Sequence, residues 1–595
     1  MLDERQITLT KALMAHFEAL GVSRRQFLKL LATAGAGASL SALIAACGGD
    51  DDDDDDDDTG GDADPTATTA QTDEEEEPTA AEDEEPEPTG AAGGGGGTGV
   101  LVFASGQDIS NLDPHTGHDY AIASTQKSVY DTLLRYQGNP PELELLLATE
   151  YEANEDATEW TIKLDERAVF HDGTPVTADD IVYNVGRLIR KNLGPAWMFV
   201  AVMEETSAEA IDEHTVKITL LTSFSPLPLI LPWLFIVNQK VVEEHEVDGD
   251  EGEGWLVDHE AGSGPFTIKR WDVGDSYEFE AVSDYWWGWP AEGHLDGYIW
   301  RIIRESSSIR LALLNNDVQM AAGLEIGIED FEALADNPDF DYIREPGLGV
   351  FAIKLNNQRG PTADVNVRRA ISYTMDYEAV IEALNGRATL LEGPLPNLGE
   401  FNNPNLELYR QDFDKAKEAL AAAGPEYAEG GFELEYVYVT GLQIEEQIGL
   451  ILLDALSELN ITLNLQPLVW PDMVARAQGV ETAPDMMAVY SGTSYGDPDN
   501  FLWQAYHSSQ AGFWAAASHY MNPELDKILE DARATPDHAE RVRLYHQAQE
   551  MLVDDAVEIW GQSEFSKTTW SKRIGGFVNT PIMGFYLQPL WLNPE

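Results

Sequence analysis

The sequence predicts an α/β fold in which strands and helices interleave, and three observations predict it. "VLVFAS" (Val100 to Ser105) is a continuous apolar run of strand length, the pattern of a strand buried on both faces. "EWTIKLDE" and "EHTVKITLL" alternate polar and apolar residues with period two, with Val216, Ile218 and Leu220 on one face. From Phe432 onward the order is strand "FELEYVYVT", helix "EEQIGLILLDALSELN", strand "ITLNLQPLVW" and strand "DMMAVYS". Strand, helix, strand makes a βαβ unit, whose parallel strands put their loops at the edge where ligands bind.

The remaining elements follow from local signals. "FHDGTPVTADDIVYNVGRLIR" reads as a turn at Asp172-Gly173, then a helix capped by Thr177 with Asp180 at its third position. "VNVRRAISYTMDYEAVIEALNG" sets Ala370, Ile371, Met375, Val380, Ile381 and Leu384 near helical spacing and stops at Gly386. "FDKAKEALAAAG" repeats that design. Asn522-Pro523 and Thr535-Pro536 each offer a cap and a helix-starting proline.

With 595 residues, 43% of them apolar, the chain can bury a sizeable core in several domains. Its net charge of −70 is uneven: residues 48–99 hold 21 acidic and no basic residues, residues 1–47 hold 3 acidic and 5 basic, and the remainder keeps −51. So acidic a surface repels phosphate backbones, which argues against a nucleic-acid partner. Cys47 is the only cysteine, so an intrachain disulfide and a Cys-based zinc site are excluded. It ends an uncharged run, Leu30 to Ala46, that is too short to span a membrane. "IAAC" (Ile44 to Cys47) places small residues before the cysteine and looks like a lipobox, and Arg24-Arg25 followed by Phe27-Leu28 resembles a twin-arginine signal. The expectation is a twin-arginine-type lipoprotein signal peptide over 1–47, lipid on Cys47, and a disordered acidic and Gly-rich linker over 48–98.

Several stretches, in order, resemble the family 5 extracellular solute-binding proteins of ABC importers. They are "NLDPHTGHDY", "VYDTLLRY", "FHDGTPVTADDIVYNVGRL", "GSGPFTIKRWDVGDSYEFEAVSDYWWG", "NVRRAISYTMD", "FDKAKEALAAAG", "GDPDNF" and "AERVRLYHQAQEMLVDDAVEIW". The resemblance implies a two-lobed periplasmic-binding-protein-like clamp of type II with an additional inserted domain, closing by hinge bending. It implies lobe I at 99–130, 256–345 and 561–595, the inserted domain at 131–255 and lobe II at 346–560. It also implies a monomer without cofactor or metal, located outside the cytoplasm, with a small-molecule or peptide ligand and ABC permease and ATPase subunits as partners.

The expected ligand contacts are Tyr120, Trp470, Tyr490, Gly492, Thr493, Ser494, Tyr495, Asp497 and Trp503, because a cleft needs aromatic surfaces and a few placed polar groups. "DYWWGWP" (Asp284 to Pro290) is by resemblance a structural part of lobe I. The letters of "GTSYG" also fit the GxSxG of a serine hydrolase, with Asp526 or Asp531 and His538 or His546 in the right order. The proline of "GDPDN" reads as loop rather than the helix an elbow feeds, and no oxyanion segment precedes it. His115 and His118 form an HxxH without an acidic partner, and the expected reading is surface or hinge histidines. "DGDEGEG" fails calcium-loop spacing and reads as an acidic surface loop.

In the dipeptide-binding branch, the resemblance implies an Asp shortly before Gly-Asp-Pro for the ligand ammonium and an Arg in the loop after the preceding strand for its carboxylate. Here Ser494 stands at the first place and "GLQ" at the second. A dipeptide is therefore disfavoured. The expected ligand is an oligopeptide held mainly by backbone hydrogen bonds, with Asp497 or Asp499 near its amino end. An oligosaccharide stacked on Tyr and Trp is the alternative, and a sensor or chaperone-like scaffold a third.

Overall fold

The structure, a computed structural model, describes residues 99–117, 120–321, 326–440 and 442–593. Arg24, Arg25, Cys47, the acidic linker and His118 lie outside the described residues, as does the side chain of Tyr120.

Two mixed sheets organise the chain. The first has seven strands in the order Phe340–Tyr342, Thr569–Ser571, Met320–Ala321, Val100–Ser105, Gly297–Ile302, Ser276–Ala281 and Phe266–Asp272. Its central strand is the apolar run Val100–Ser105, parallel to both neighbours. The second has five strands, in the order Thr462–Leu468, Glu433–Val439, Met486–Ser491, Val350–Leu355 and Glu558–Trp560. The βαβ unit lies here as expected: Glu433–Val439 runs parallel to both Thr462–Leu468 and Met486–Ser491. Val350–Leu355 is buried along its whole length because both faces are covered. Phe351, Ile353 and Leu355 join the cluster of Ile448 and Leu452 from helix Gln443–Ser457. Val350 and Ala352 face the cluster of helices Pro523–Ala534 and His538–Asp554.

Residues 148–219 build a four-stranded antiparallel sheet, Ala148–Ala153, Glu159–Leu164, Thr215–Thr219 and Ala208–Asp212. The period-two faces read from sequence pack inward, with Val216 and Ile218 fully buried. Helix Ala178–Lys191 crosses beside it, with Thr177 and Asp180 forming the expected capping box.

Three expectations need correction. The stretch 365–386 is two helices, Val365–Ser372 and Tyr377–Ala383, because Asp376 caps the second by accepting from Ala379 N–H. Thr535 ends a helix instead of starting one, and the next helix is capped by Asp537. "GDPDN" is not simply loop: Pro498 is the first residue of helix Pro498–Tyr506, where its missing N–H costs nothing.

Among the described residues the chain passes between the two large sheets twice, over residues 343–349 and 561–568. These crossing segments lie side by side. Gly347 N–H donates to Glu564 O at 2.9 Å, and Ser563 Oγ donates to Gly347 O at 2.7 Å. No helix of the described residues is long and apolar enough to cross a membrane.

Candidate functional site

Loop 492–496 leaves strand Met486–Ser491 at the carboxyl edge of its parallel pairing and meets the crossing segment and the 131–255 region together. Thr493 Oγ1 donates to Leu348 O, Trp233 Nε1 donates to Ser494 O at 2.6 Å, and Gly496 N–H donates to Tyr136 OH at 3.4 Å. Tyr495 is buried in the hydrophobic cluster that holds Trp233 and Phe235, and its hydroxyl donates to Asp499 Oδ2 at 2.8 Å. Replacing Trp233 by Phe keeps an aromatic side chain in the cluster but removes the indole donor and part of the buried ring. The expected loss is about 1 kcal/mol in urea unfolding.

The acidic residues of "GDPDN" are committed to the fold. Asp497 is 0% exposed; it caps helix Pro498–Tyr506 by accepting from Asp499 N–H at 2.9 Å and takes Arg541 Nη2 on both oxygens at 2.8 Å. Asp499 takes Arg533 at 2.9 and 3.0 Å. Burial opposes the Arg541 charge, but Asp497 more than offsets this and holds the guanidinium pKa above its ordinary range. Neither carboxylate is open to a ligand ammonium, which corrects the expectation for Asp497 and Asp499. Asp497→Asn keeps the cap and strands the Arg541 charge, so a loss of about 2 kcal/mol is expected in thermal or urea unfolding. Trp503 is likewise occupied, stacked on His507 at 3.7 Å and carrying the Arg533 guanidinium at 3.7 Å.

The residues that a hydrolase would need stand elsewhere. His538 Nε2 bonds Glu400 Oε1 at 2.8 Å and His546 Nε2 bonds Glu400 O at 2.9 Å. Asp526 accepts from Ser508 N–H, and Asp531 pairs with Lys527. Ser494 thus contributes its backbone to the loop.

Tyr490, near the end of its strand, donates its hydroxyl to Glu564 on the second crossing segment. Gln562 Nε2 reaches the same hydroxyl at 3.4 Å. Glu445, in the first turn of helix Gln443–Ser457, accepts from Val439 N–H at 2.8 Å. Burial pushes its carboxyl pKa up to about 7; the Val439 N–H works against this, and the nearby Glu564 charge adds to it. Sequence reasoning missed Glu445, Glu564 and Gln562. For Glu445 the available signal was its place just after strand Glu433–Val439, where the resemblance implies an Arg; Gln562 and Glu564 carry no local signal. Trp470 opens helix Trp470–Ala477, packs edge-on against Trp514 at 5.3 Å and is 38% exposed.

Across the first sheet, "DYWWGWP" supports a buried polar group. Tyr285 OH and Trp286 Nε1 each donate to Asp131 at 2.8 Å, Ser263 Oγ adds a third bond at 3.0 Å, and burial still raises the Asp131 pKa to about 6. Trp287 stacks beneath the Arg135 guanidinium at 4.1 Å. Lys127 is buried beside them, with Nζ donating to Met583 O and Phe585 O, and burial lowers its pKa to about 7.

His115 is neither a surface nor a ligand histidine. It is fully buried, accepts from Arg187 Nη1 at Nδ1 over 3.0 Å and donates from Nε2 to Phe235 O over 3.1 Å. Burial and the Arg187 charge hold its pKa down at about 3. Among the described residues no group of three or more His, Cys, Asp or Glu could hold a metal.

Comparison with known proteins gives a consistent picture. The family described as bacterial extracellular solute-binding proteins, family 5 Middle, matches residues 142–513. The probable D,D-dipeptide-binding periplasmic protein of Escherichia coli strain K12 is 30% identical over 491 residues, 81% of this chain and 92% of that one. Heme-binding protein A of Haemophilus influenzae is 26% identical, over 78% of this chain and 87% of that one. Among solved structures, the ABC transporter substrate-binding protein CtaP of Listeria monocytogenes aligns with a TM-score of 0.74 at 24% identity, over 84% of this chain and 100% of that one. The oligopeptide-binding protein AppA of Bacillus subtilis, in complex with a nonapeptide, aligns with a TM-score of 0.65 at 19% identity over 84% and 100%.

Proposed function

The chain belongs to the bacterial extracellular solute-binding proteins of family 5, and from that premise we propose that it captures oligopeptides between its lobes and delivers them to the permease of an ABC importer. The observation that carries this reading is the pair of adjoining crossing segments, 343–349 and 561–568, which join the two large sheets. Rotation about two short neighbouring segments opens and closes a cleft without disturbing either core. Peptide ligands are named for D,D-dipeptide-binding and nonapeptide-bound relatives.

The family's place outside the cytoplasm suits an export signal at residues 1–47 with Arg24-Arg25 and a lipid anchor on Cys47. Sheet membership supports lobe I at 99–130, 256–345 and 561–595, an inserted domain at 131–255 and lobe II at 346–560. Strand Gln562–Glu564, paired with Ala388–Leu390, belongs to the crossing region. Trp470, Tyr490 and the loop 492–494 remain in the reading as ligand contacts, and Tyr120 as a contact from the other side. The protein acts as a monomer and binds without catalysis.

The test is mass spectrometry of what co-purifies, followed by thermal unfolding with tri- to pentapeptides. Ligand at a hundredfold excess over Kd adds about 2.7 kcal/mol and raises Tm by several degrees. Peptides without effect and a shift with xylo-oligomers would move the reading to an oligosaccharide carrier. Ser494→Ala is expected to keep peptide affinity within about tenfold, since the loop bonds run through its backbone.

A further inference from the structure

At the carboxyl edge of the five-stranded sheet acceptor groups meet, and Arg387, which precedes the strand paired with Gln562–Glu564, gives its guanidinium to Glu332, Ile343 O and Ser566 O. The Tyr490 hydroxyl is given to Glu564. Gln562 is fully buried; its amide nitrogen faces that hydroxyl, and its Oε1 has no hydrogen-bond partner. Glu445 is 1% exposed and near enough to Glu564 for the two charges to oppose each other. The interactions that shift the Glu445 carboxyl include no basic side chain.

Burying Glu445 beside the half-buried Glu564 without a counter-charge is unfavourable, and a fold keeps such an arrangement where a bound molecule supplies the missing charge. Among the described residues no three His, Cys, Asp or Glu gather here as a metal centre, and two carboxylates with one amide oxygen suit a group that donates several hydrogen bonds. We propose that Glu564, Gln562 Oε1 and Glu445 receive the positively charged group of the solute, an ammonium or a guanidinium, with Glu564 as its direct ion-pair partner. The proposal rests on the solute-binding reading above and deepens it. It answers the gap at Ser494, where no acid stands. It also ties binding to closure, because Glu564 lies on a crossing segment while Glu445 and Tyr490 belong to the five-stranded sheet and its helix. A cation held among them fixes the segment on which the sheets turn.

The experiment is calorimetric titration of the full protein with a tetrapeptide library free of Lys, Arg and His, its amino ends either free or acetylated. A second library, acetylated but containing Lys and Arg, separates the α-ammonium from a side-chain cation. Wild type should bind at least one charged library, with the uncharged one about a hundredfold weaker or not bound. Glu564→Gln should lose about thirtyfold or more for the charged library alone, with its Tm intact. Equal binding of charged and uncharged libraries, or Glu564→Gln binding like wild type, overturns the proposal. If no peptide binds, the peptide reading fails by itself. The wild type and Glu564→Gln are then compared on putrescine and agmatine as peptide-free cations: binding that the variant loses supports the acidic pole, and no binding of either overturns it.

Discussion

Arg187→Met is expected to lower stability by about 3–5 kcal/mol, because it leaves a buried charge without its partner. Arg187 and Asp113 are both fully enclosed, with Nη1 and Nη2 donating to the two carboxylate oxygens at 2.8 and 2.7 Å. The same guanidinium donates to His115 Nδ1 at 3.0 Å and, through Nε, to Glu251 O at 3.0 Å. Methionine fills much of the volume, so the loss reads charge and hydrogen bonds more than cavity. pH gives a second readout. Burial works to raise the Asp113 pKa, but the Arg187 hydrogen bonds and charge overcome it and hold the carboxyl below its ordinary value. A depressed carboxyl stabilises the fold above its unfolded pKa, and that contribution fades as pH falls through the folded value. In the variant burial acts unopposed by Arg187, so the sign reverses, and urea unfolding should show Arg187→Met regaining part of its loss between pH 7 and pH 4. A variant that stays as weak at pH 4 as at pH 7 would show that Asp113 was not the stranded charge. Asp113→Asn on the Arg187→Met background should recover stability at pH 7 for the same reason.

Most of the architecture is legible in local pattern because burial imposes it residue by residue. Val100–Ser105 reads as a doubly buried strand and is buried from Phe103 to Ser105, with Val100 exposed at its start, and the alternation at Val216 and Ile218 puts those residues inside the four-stranded sheet. Local reading fails where a short-range bond outweighs periodicity. Met375 and Val380 sit at helical spacing, yet the Asp376 side chain caps a new helix between them, and Asp537 takes the cap that Thr535 promised. The loop site fails differently. Asp497 looks like a free anion in "GDPDN" until Arg541, 44 positions later, closes on it. Glu564 and Tyr490 are 74 positions apart, and neither stretch carries a spacing that announces the contact. Long-range charge pairing is invisible to a window of a few residues, so the sequence points to the edge of the sheet and not to the acids that occupy it.

Those acids give the last expected result: Glu445→Gln should make the protein more stable and a poorer binder at once. The amide keeps an acceptor for Val439 N–H and removes a charge that burial penalises. A carboxyl raised to about 7 is protonated in the folded state where the unfolded chain has lost its proton, so its contribution is full below the unfolded pKa and lost as pH rises towards 7. The span from an ordinary glutamate to about 7 is worth up to about 3 kcal/mol. Urea unfolding should therefore find the variant about 2 kcal/mol more stable than wild type at pH 8, with the gain shrinking as pH falls from about 7 and gone below the ordinary glutamate range. The groups facing Glu445 do not reverse this sign: Glu564 from the crossing segment adds like charge, and Tyr490 and Tyr436 from the adjoining strands are neutral phenols over this range. Calorimetry on the charged tetrapeptide library should show affinity falling about tenfold or more in the same variant. Wild-type affinity should rise from pH 6 to pH 8 as Glu445 ionises, and the variant should lose that slope. A residue kept only for packing would lose stability on replacement and leave binding unmoved. Opposite signs in the two measurements identify Glu445 as a charge retained at the expense of the fold for the sake of a cationic solute.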